Sequence, residues 1–266
     1  VASIGEIERI EKILGAFKKE NVGDESPEQL PIDSFEQLSM EHVHFQYRDE
    51  ENDRNFELGP INFKINQGEL IFMVGGNGSG KSTFLKVLTG LYPPDTGTIK
   101  VNDITITHKE LQGYRNLMAP IFTDFHLFDK LYGIDPIDAK TARKALEHVE
   151  LTDKTDLKEK NITNISLSAG QRKRLALMIS ILEDKPIMVF DEWAAEQDPE
   201  FRKRFYLEIV PELRKAGKTI FAITHDDKYF YTADRIVKMD YGQFVGFEPI
   251  ESKSGDNPKR SSNTTD

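Results

Sequence analysis

"GGNGSGKST", residues 75–83, decides the fold. It follows the apolar run "LIFMV" at 70–74 and leads into "STFLKVLTG" at 82–90. The stretch matches G-x-x-x-x-G-K-[ST] through Gly75, Gly80, Lys81 and Ser82. Glycines let the backbone turn tightly and aim several N–H groups at one anion. Asn77, Gly78, Ser79 and Thr83 fall inside the same candidate phosphate cradle. A helix starting here adds the positive end of its dipole. Lys81 can reach the β- and γ-phosphates of a nucleotide, and the Ser82 hydroxyl can ligate Mg²⁺. A glycine-rich turn that binds nothing is the bland alternative, and the strand–loop–helix context argues against it.

Such a loop needs a carboxylate at the end of a neighbouring buried strand. "IMVFDEWAAEQD" at 187–198 supplies one, because the apolar run stops at Asp191 and Glu192. Asp191 suits a metal-holding role, directly or through water. Glu192 suits a general base accepting a proton from a water that attacks the γ-phosphate. The same pair can also serve as an acidic helix cap. "LSAGQRKRLAL" at 167–177 opens a helix with Ser168 and Gly170, a second anion site in one chain. Arg172 and Lys173 read as a solvated basic face. His225 in "ITHDD" lies just beyond another buried strand, at the same end of the sheet, where it can contact a γ-phosphate.

The rest of the chain fits around these points. Strands are expected at 40–47, 61–65, 70–74, 96–103, 187–190 and 219–224, and helices at 136–150, 169–183 and 199–216. The helical stretch between the last two strands makes a β–α–β unit, so those strands should be parallel. Residues 4–17 carry Ile4, Ile7, Ile10, Ile13, Leu14 and Phe17 at helical spacing. A polar linker follows at 20–34, and the final residues read as a disordered tail.

Composition narrows the function. The 266 residues carry a net charge of −10, a poor match to nucleic acid, whose binding depends on phosphate neutralisation. With no cysteine, thiol nucleophiles, disulfides and zinc thiolate sites are excluded. No window approaches the ~20 apolar residues of a membrane span, and no secretory signal opens the sequence.

Over residues 38–248 the motifs resemble an ATP-binding cassette (ABC) nucleotide-binding domain. The order agrees throughout: Tyr47, the loop at 75–83, "LSAGQ" at 167–171, Asp191 with Glu192, Asp198, then His225. The resemblance implies an α/β P-loop ATPase with a RecA-like core, an antiparallel β subdomain and a helical signature subdomain. It implies two copies paired head to tail, each ATP lying between one copy's phosphate loop and the other's signature. Tyr47 would stack on adenine. Ser168, Gly170, Gln171 and Asp198 would complete the partner's ATP site. Lys81, Glu192 and His225 would be the catalytic set. Mg²⁺ would be held by Ser82, with Asp191 and the residue at the Q-loop glutamine position, here Thr123 in "IFTDFHLF", whose short arm would reach the ion through water or not at all.

Other departures also inform. One of the two signature glycines is Ala169, and "WAAEQD" follows Glu192. "DEWAAEQDP" and "FTDFHLFD" are similar to the cyclic-peptide and siderophore exporter branch, the syringomycin, pyoverdine and microcin-type exporters. That branch implies peptide export, a transmembrane domain as partner, and a place on the cytoplasmic face of the inner membrane. The expected layout is a helix and linker at 1–37 following a transmembrane domain, the cassette at 38–250, and a tail at 251–266. A soluble ABC ATPase acting on nucleic acid or ribosomes is the competing class. A non-catalytic nucleotide-binding regulator is another, disfavoured because Glu192 and His225 are both present. Trp193, the only tryptophan, is expected to pack beneath the loop that carries Asp198, the alternative being a place at the dimer interface.

Overall fold

The computed structural model describes residues 30–32, 34–49 and 54–249. The amphipathic stretch 4–17, most of the linker and the tail at 251–266 lie outside the described residues.

The chain opens with two long strands, β1 (Gln37–Asp49) and β2 (Arg54–Asn66), then β3 (Leu70–Val74) and helix α1 (Lys81–Leu88). Next come β4 (Thr96–Val101), β5 (Ile104–Thr105), α2 (Leu111–Arg115), β6 (Met118–Ile121) and α3 (Ala139–His148). A short hairpin, β7 (Leu157–Lys158) and β8 (Asn161–Ile162), precedes α4 (Ala169–Leu182) and β9 (Ile187–Asp191). Helices α5 (Pro199–Arg204) and α6 (Val210–Lys215) lead to β10 (Thr219–Ile223), β11 (Arg235–Asp240) and β12 (Gln243–Pro249).

The main sheet has six strands in the order β12-β11-β3-β10-β9-β6, and all but β12 run parallel. Its central strands are apolar on both faces, as strands covered on both sides must be. Side chains alternate across the sheet with period two. Leu70, Phe72, Met188, Phe190, Ile220 and Ala222 enter one core, together with α4. Ile71, Met73, Ile187, Val189, Phe221 and Ile223 enter the other. That second core also holds Phe84, Leu85, Val87 and Leu88 of α1 and the inner face of an antiparallel sheet, β2-β1-β4-β5. Helix α1 is thus clamped between two sheets, which fixes the loop in front of it. The expected α/β architecture and the parallel pairing of β9 with β10 are both present.

Boundaries differ where local chemistry intervenes. Helix α3 starts at Ala139, because the Asp138 carboxylate accepts the Lys140 and Thr141 N–H groups at 2.9 and 3.0 Å. Strand β4 stops at Val101, where Asn102 turns left-handed at φ 53°. The stretch 199–216 is not one α-helix, since a π turn occupies Phe205–Ile209. Pro211 has no N–H to return to the Leu207 carbonyl, so the ladder widens just before it. No helix among the described residues is long and apolar enough to cross a membrane.

Candidate functional site

Parallel strands deliver their C-terminal ends to one edge, where open α/β sheets bind ligands. Strand β3 delivers the loop at 75–80, β10 delivers His225, β9 delivers Asp191 and Glu192, and β6 delivers Thr123.

The loop is built by close approach. A Cβ on Gly75 would lie 2.3 Å from the Met239 carbonyl oxygen. Gly80 adopts φ 106°, and a Cβ there would meet the Phe56 ring at 2.7 Å. Gly242, in the β11–β12 turn, donates its N–H to the Ser79 carbonyl at 2.8 Å. Lys81 is buried, and its Nζ donates to the carbonyls of Gly75 and Gly76 at 2.9 and 3.0 Å. The ammonium therefore sits over the loop that precedes it. Ser79 Oγ is buried without a hydrogen-bond partner, an arrangement that folded proteins avoid unless something else satisfies the group. Asn77 and Gly78 form the exposed crown, and Ser82 and Thr83 open α1. The Lys81 ammonium, the unpartnered Ser79 hydroxyl and the loop's backbone make a cradle that fits a phosphate chain.

Asp191 is buried, and its carboxyl is pushed above its ordinary value, first by burial and then by the Glu192 charge. Hydrogen bonds from the Thr123 hydroxyl and N–H and from the Ser82 hydroxyl oppose that shift. The three candidate metal-holding residues therefore converge. Their oxygen donors suit a hard cation such as Mg²⁺. Thr123 Oγ1 also lies 3.3 Å from the Asp191 carbonyl oxygen.

Glu192 is left-handed, φ 48° and ψ 34°, a conformation that costs a non-glycine residue roughly 1–3 kcal/mol. Its side chain makes no capping hydrogen bond, so the helix-cap reading of this acid is not supported. Oε1 instead lies 3.2 Å from His225 Nε2.

The signature residues form a separate group. Ser168 and Gln171 close a reciprocal capping box at the start of α4. The Gly170 carbonyl accepts Gln197 Nε2 at 3.1 Å, and Arg174 Nε donates to Gln197 Oε1 at 2.9 Å. Arg174 also pairs with Asp198, which caps α5. The Phe201 N–H holds the Asp198 carboxyl below its usual range, with help from Arg174. Among the described residues no hydrogen bond or ion pair joins Ser168, Gly170 or Asp198 to the loop at 75–83.

Two expectations about this region are now decided. Lys173 is not part of a solvated face: its side chain is 3% exposed, and it pairs with Glu196 Oε1 at 3.3 Å. It lies on the stripe of α4 that also buries Ala176, Leu177 and Ser180. The run "RKR" does not by itself show which of its residues turns inward. Arg172 does face solvent. Trp193 is packed inside, 1% exposed, against Phe205 at 4.4 Å between ring centroids.

Tyr47, near the end of β1, is 37% exposed. Its ring tilts against Phe56 at 5.6 Å, and Phe56 is the ring that abuts Gly80. Sequence reading missed Phe56 and the Gly242 turn as the loop's buttresses. No motif marks them, because their role depends on the contact between the two sheets.

A model of the ABC transporter family matches residues 58–195. The ATP-binding protein SyrD of Pseudomonas syringae pv. syringae is 44% identical over 216 residues, which cover 80% of this chain and 38% of SyrD. The ATP-dependent lipid A-core flippase of Ralstonia nicotianae is 33% identical over 223 residues, covering 78% of this chain and 37% of the flippase. The chain thus spans less than two fifths of the length of these relatives. Among solved structures, a bacterial Atm1-family ABC exporter with ATP bound superposes with a TM-score of 0.69 at 21% identity, over 91% of this chain and 45% of that one. The ATP-binding cassette MJ0796, dimeric and bound to ADP and Pi, gives 0.68 at 23% identity, over 80% of this chain and 99% of that one.

Proposed function

The chain belongs to the ABC transporter family of ATP-binding ATPases, and from that membership we propose that it is the motor domain of an exporter. The observation that carries the proposal is the convergence of Lys81, Ser82, Asp191, Glu192 and His225 at one sheet edge.

In this reading Lys81 and the loop N–H groups bind the β- and γ-phosphates, and Asn77, Gly78, Ser79, Gly80 and Thr83 complete the cradle. Ser82 and Asp191 would hold Mg²⁺, with Thr123 supporting Asp191 and reaching the ion at most through water. That ion, when bound, neutralises charge on the phosphates. Glu192 accepts a proton from the attacking water, and His225, 3.2 Å away, steadies that carboxylate and the transferring group. Tyr47 stacks on adenine. A second copy, docked head to tail, contributes Ser168, Gly170, Gln171 and Asp198. Ser168 and Asp198 are exposed and Gly170 and Gln171 half-buried, with no bond to their own chain's loop among the described residues, which supports such a trans role.

We place the cassette at 38–250, between the segments 1–37 and 251–266. A transmembrane domain is the further partner, and the domain works at the cytoplasmic face of the inner membrane. A cleft of about 460 Å³ between the end of β6 and α4, lined by Ile121, Phe125, Phe128, Tyr132 and Ile179, supports contact with such a partner. The cargo class is a cyclic peptide, siderophore or related peptide product. "DEWAAEQDP" and the similarity to SyrD support that class.

The test is Mg²⁺-dependent ATPase activity against protein concentration. Activity should rise faster than linearly as copies pair. Strictly linear, metal-independent activity counts against the two-copy site.

A further inference from the structure

We infer that Lys173 is a positioning residue for Glu192, holding the peptide after it in the left-handed turn that aims its carboxylate at His225. The inference rests on the proposed role of Glu192 as general base.

Three bonds hold residues 192 and 193 in place. Lys173 Nζ donates to the Glu192 carbonyl at 3.2 Å. Trp193 Nε1 donates back to the Lys173 carbonyl at 2.9 Å. The Glu192 N–H donates to the Ile223 carbonyl at the end of β10, at 3.2 Å. Residues 192 and 193 are therefore tied on one side to α4 and on the other to the strand that carries His225. A left-handed non-glycine residue persists only where its surroundings over-determine it, and these bonds do so.

A lysine is almost never fully buried unless paired. Lys173 has Glu196 as its charge partner, at 3.3 Å. That ion pair alone would only fasten α4 to the turn at Trp193–Glu196. The Glu192 carbonyl gives the ammonium a second task. The direction of the Glu192 Cα–Cβ bond follows the orientation of this peptide. A displacement of about 1 Å at a reacting group can lower a rate by about 10²-fold. A methionine would fill nearly the same volume and return no hydrogen bond.

The test compares Lys173→Met, Glu196→Gln, Glu192→Gln and the Lys173→Met/Glu192→Gln double variant in the full chain, by steady-state ATPase kinetics. Lys173→Leu is the second apolar replacement if the methionine variant does not fold. Trp193 emission reports packing in each. Lys173→Met should lower kcat by about 10–10²-fold, with KM for ATP within about twofold. Glu196→Gln should keep most of kcat. In the Glu192→Gln background, Lys173→Met should change residual turnover no further, as expected for two residues acting as one unit. The inference fails if kcat survives in Lys173→Met. It fails equally if Glu196→Gln loses as much, or if the two losses multiply in the double variant. Full turnover by Glu192→Gln overturns the base assignment itself, a result separable from any failure at Lys173.

Discussion

His225 Nε2 lies 3.2 Å from Glu192 Oε1, although 33 residues separate them in the chain. Strands β9 and β10 bring them together, running parallel with Asp191 opposite Ile223. Each candidate residue sits just past the end of its strand. The pair is a product of topology, and its chemistry can be tested one atom at a time.

Glu192→Gln is nearly isosteric but cannot accept a proton. It should keep ATP binding and lose roughly 10²–10⁴-fold in turnover. Unable to complete hydrolysis, it should accumulate as an ATP-bound dimer on size-exclusion chromatography. Turnover near wild type removes Glu192 from the role of base.

Asp191→Asn separates stability from function. The folded-state value of this carboxyl lies above its ordinary 3.8. Between those two values the folded chain holds a proton that the unfolded chain has released. Stability therefore falls as pH rises through that window. Asparagine removes the buried charge, so in metal-free buffer at neutral pH the variant should melt higher than wild type. The advantage should vanish below the window, and ATPase activity should be lost. A lower melting point in EDTA at neutral pH contradicts this account.

Tyr47→Ala should weaken ATP and GTP alike, since stacking tolerates different bases and contributes about 1–3 kcal/mol. Calorimetric titration with both nucleotides measures it. Unchanged affinity would make Tyr47 an ordinary strand residue packed on Phe56.

Ser168→Arg removes one half of the capping box at the start of α4. Loss of an N-cap costs about 0.5–2 kcal/mol, so the melting point should drop modestly. ATP binding by dilute monomer should survive, while hydrolysis at high concentration is abolished. Failure of the monomer to bind nucleotide argues against a site shared between copies.

Thr123→Val deletes a hydroxyl within 3.3 Å of the Asp191 carbonyl oxygen. A contact to protein backbone makes it a support for Asp191 more than a dependable metal ligand. Activity across a Mg²⁺ titration should fall by no more than about tenfold, less than the loss of a general base. Thr123→Gln should be tolerated. A loss as deep as that of Glu192→Gln would instead make the hydroxyl a direct catalytic ligand.

What the sequence disclosed follows from how local each feature is. The loop at 75–83 is a contiguous word, and β3, β9 and β10 are apolar runs that only a sheet covered on both faces can use. Lys173 was illegible for the opposite reason. Its burial depends on Glu196 and on the Glu192 carbonyl, about twenty residues away, and "RKR" looks the same whether it faces water or protein. The π turn before Pro211 depends on backbone hydrogen bonding that side-chain periodicity does not report. Phe56 and Gly242 support the phosphate loop only because two sheets meet there. Strands β11 and β12 escaped notice as well. "RIVKMD" alternates weakly, and β12 is the antiparallel strand at the sheet's edge.

Trp193 has a photophysical consequence. The molecule's single indole is sealed from solvent and pinned by its N–H to α4, while its own backbone follows directly on Glu192. Its emission should lie toward the blue and should ignore the mere association of two copies, because neither face of the ring is available to a neighbour. It should respond when the helix opened by Ser168 shifts against the turn that carries Glu192. The protein therefore holds an intrinsic optical strain gauge, set between the residues offered to a partner's nucleotide and the base that serves its own. A stopped-flow trace of unlabelled protein can then time the movement between these two parts independently of the time of pairing.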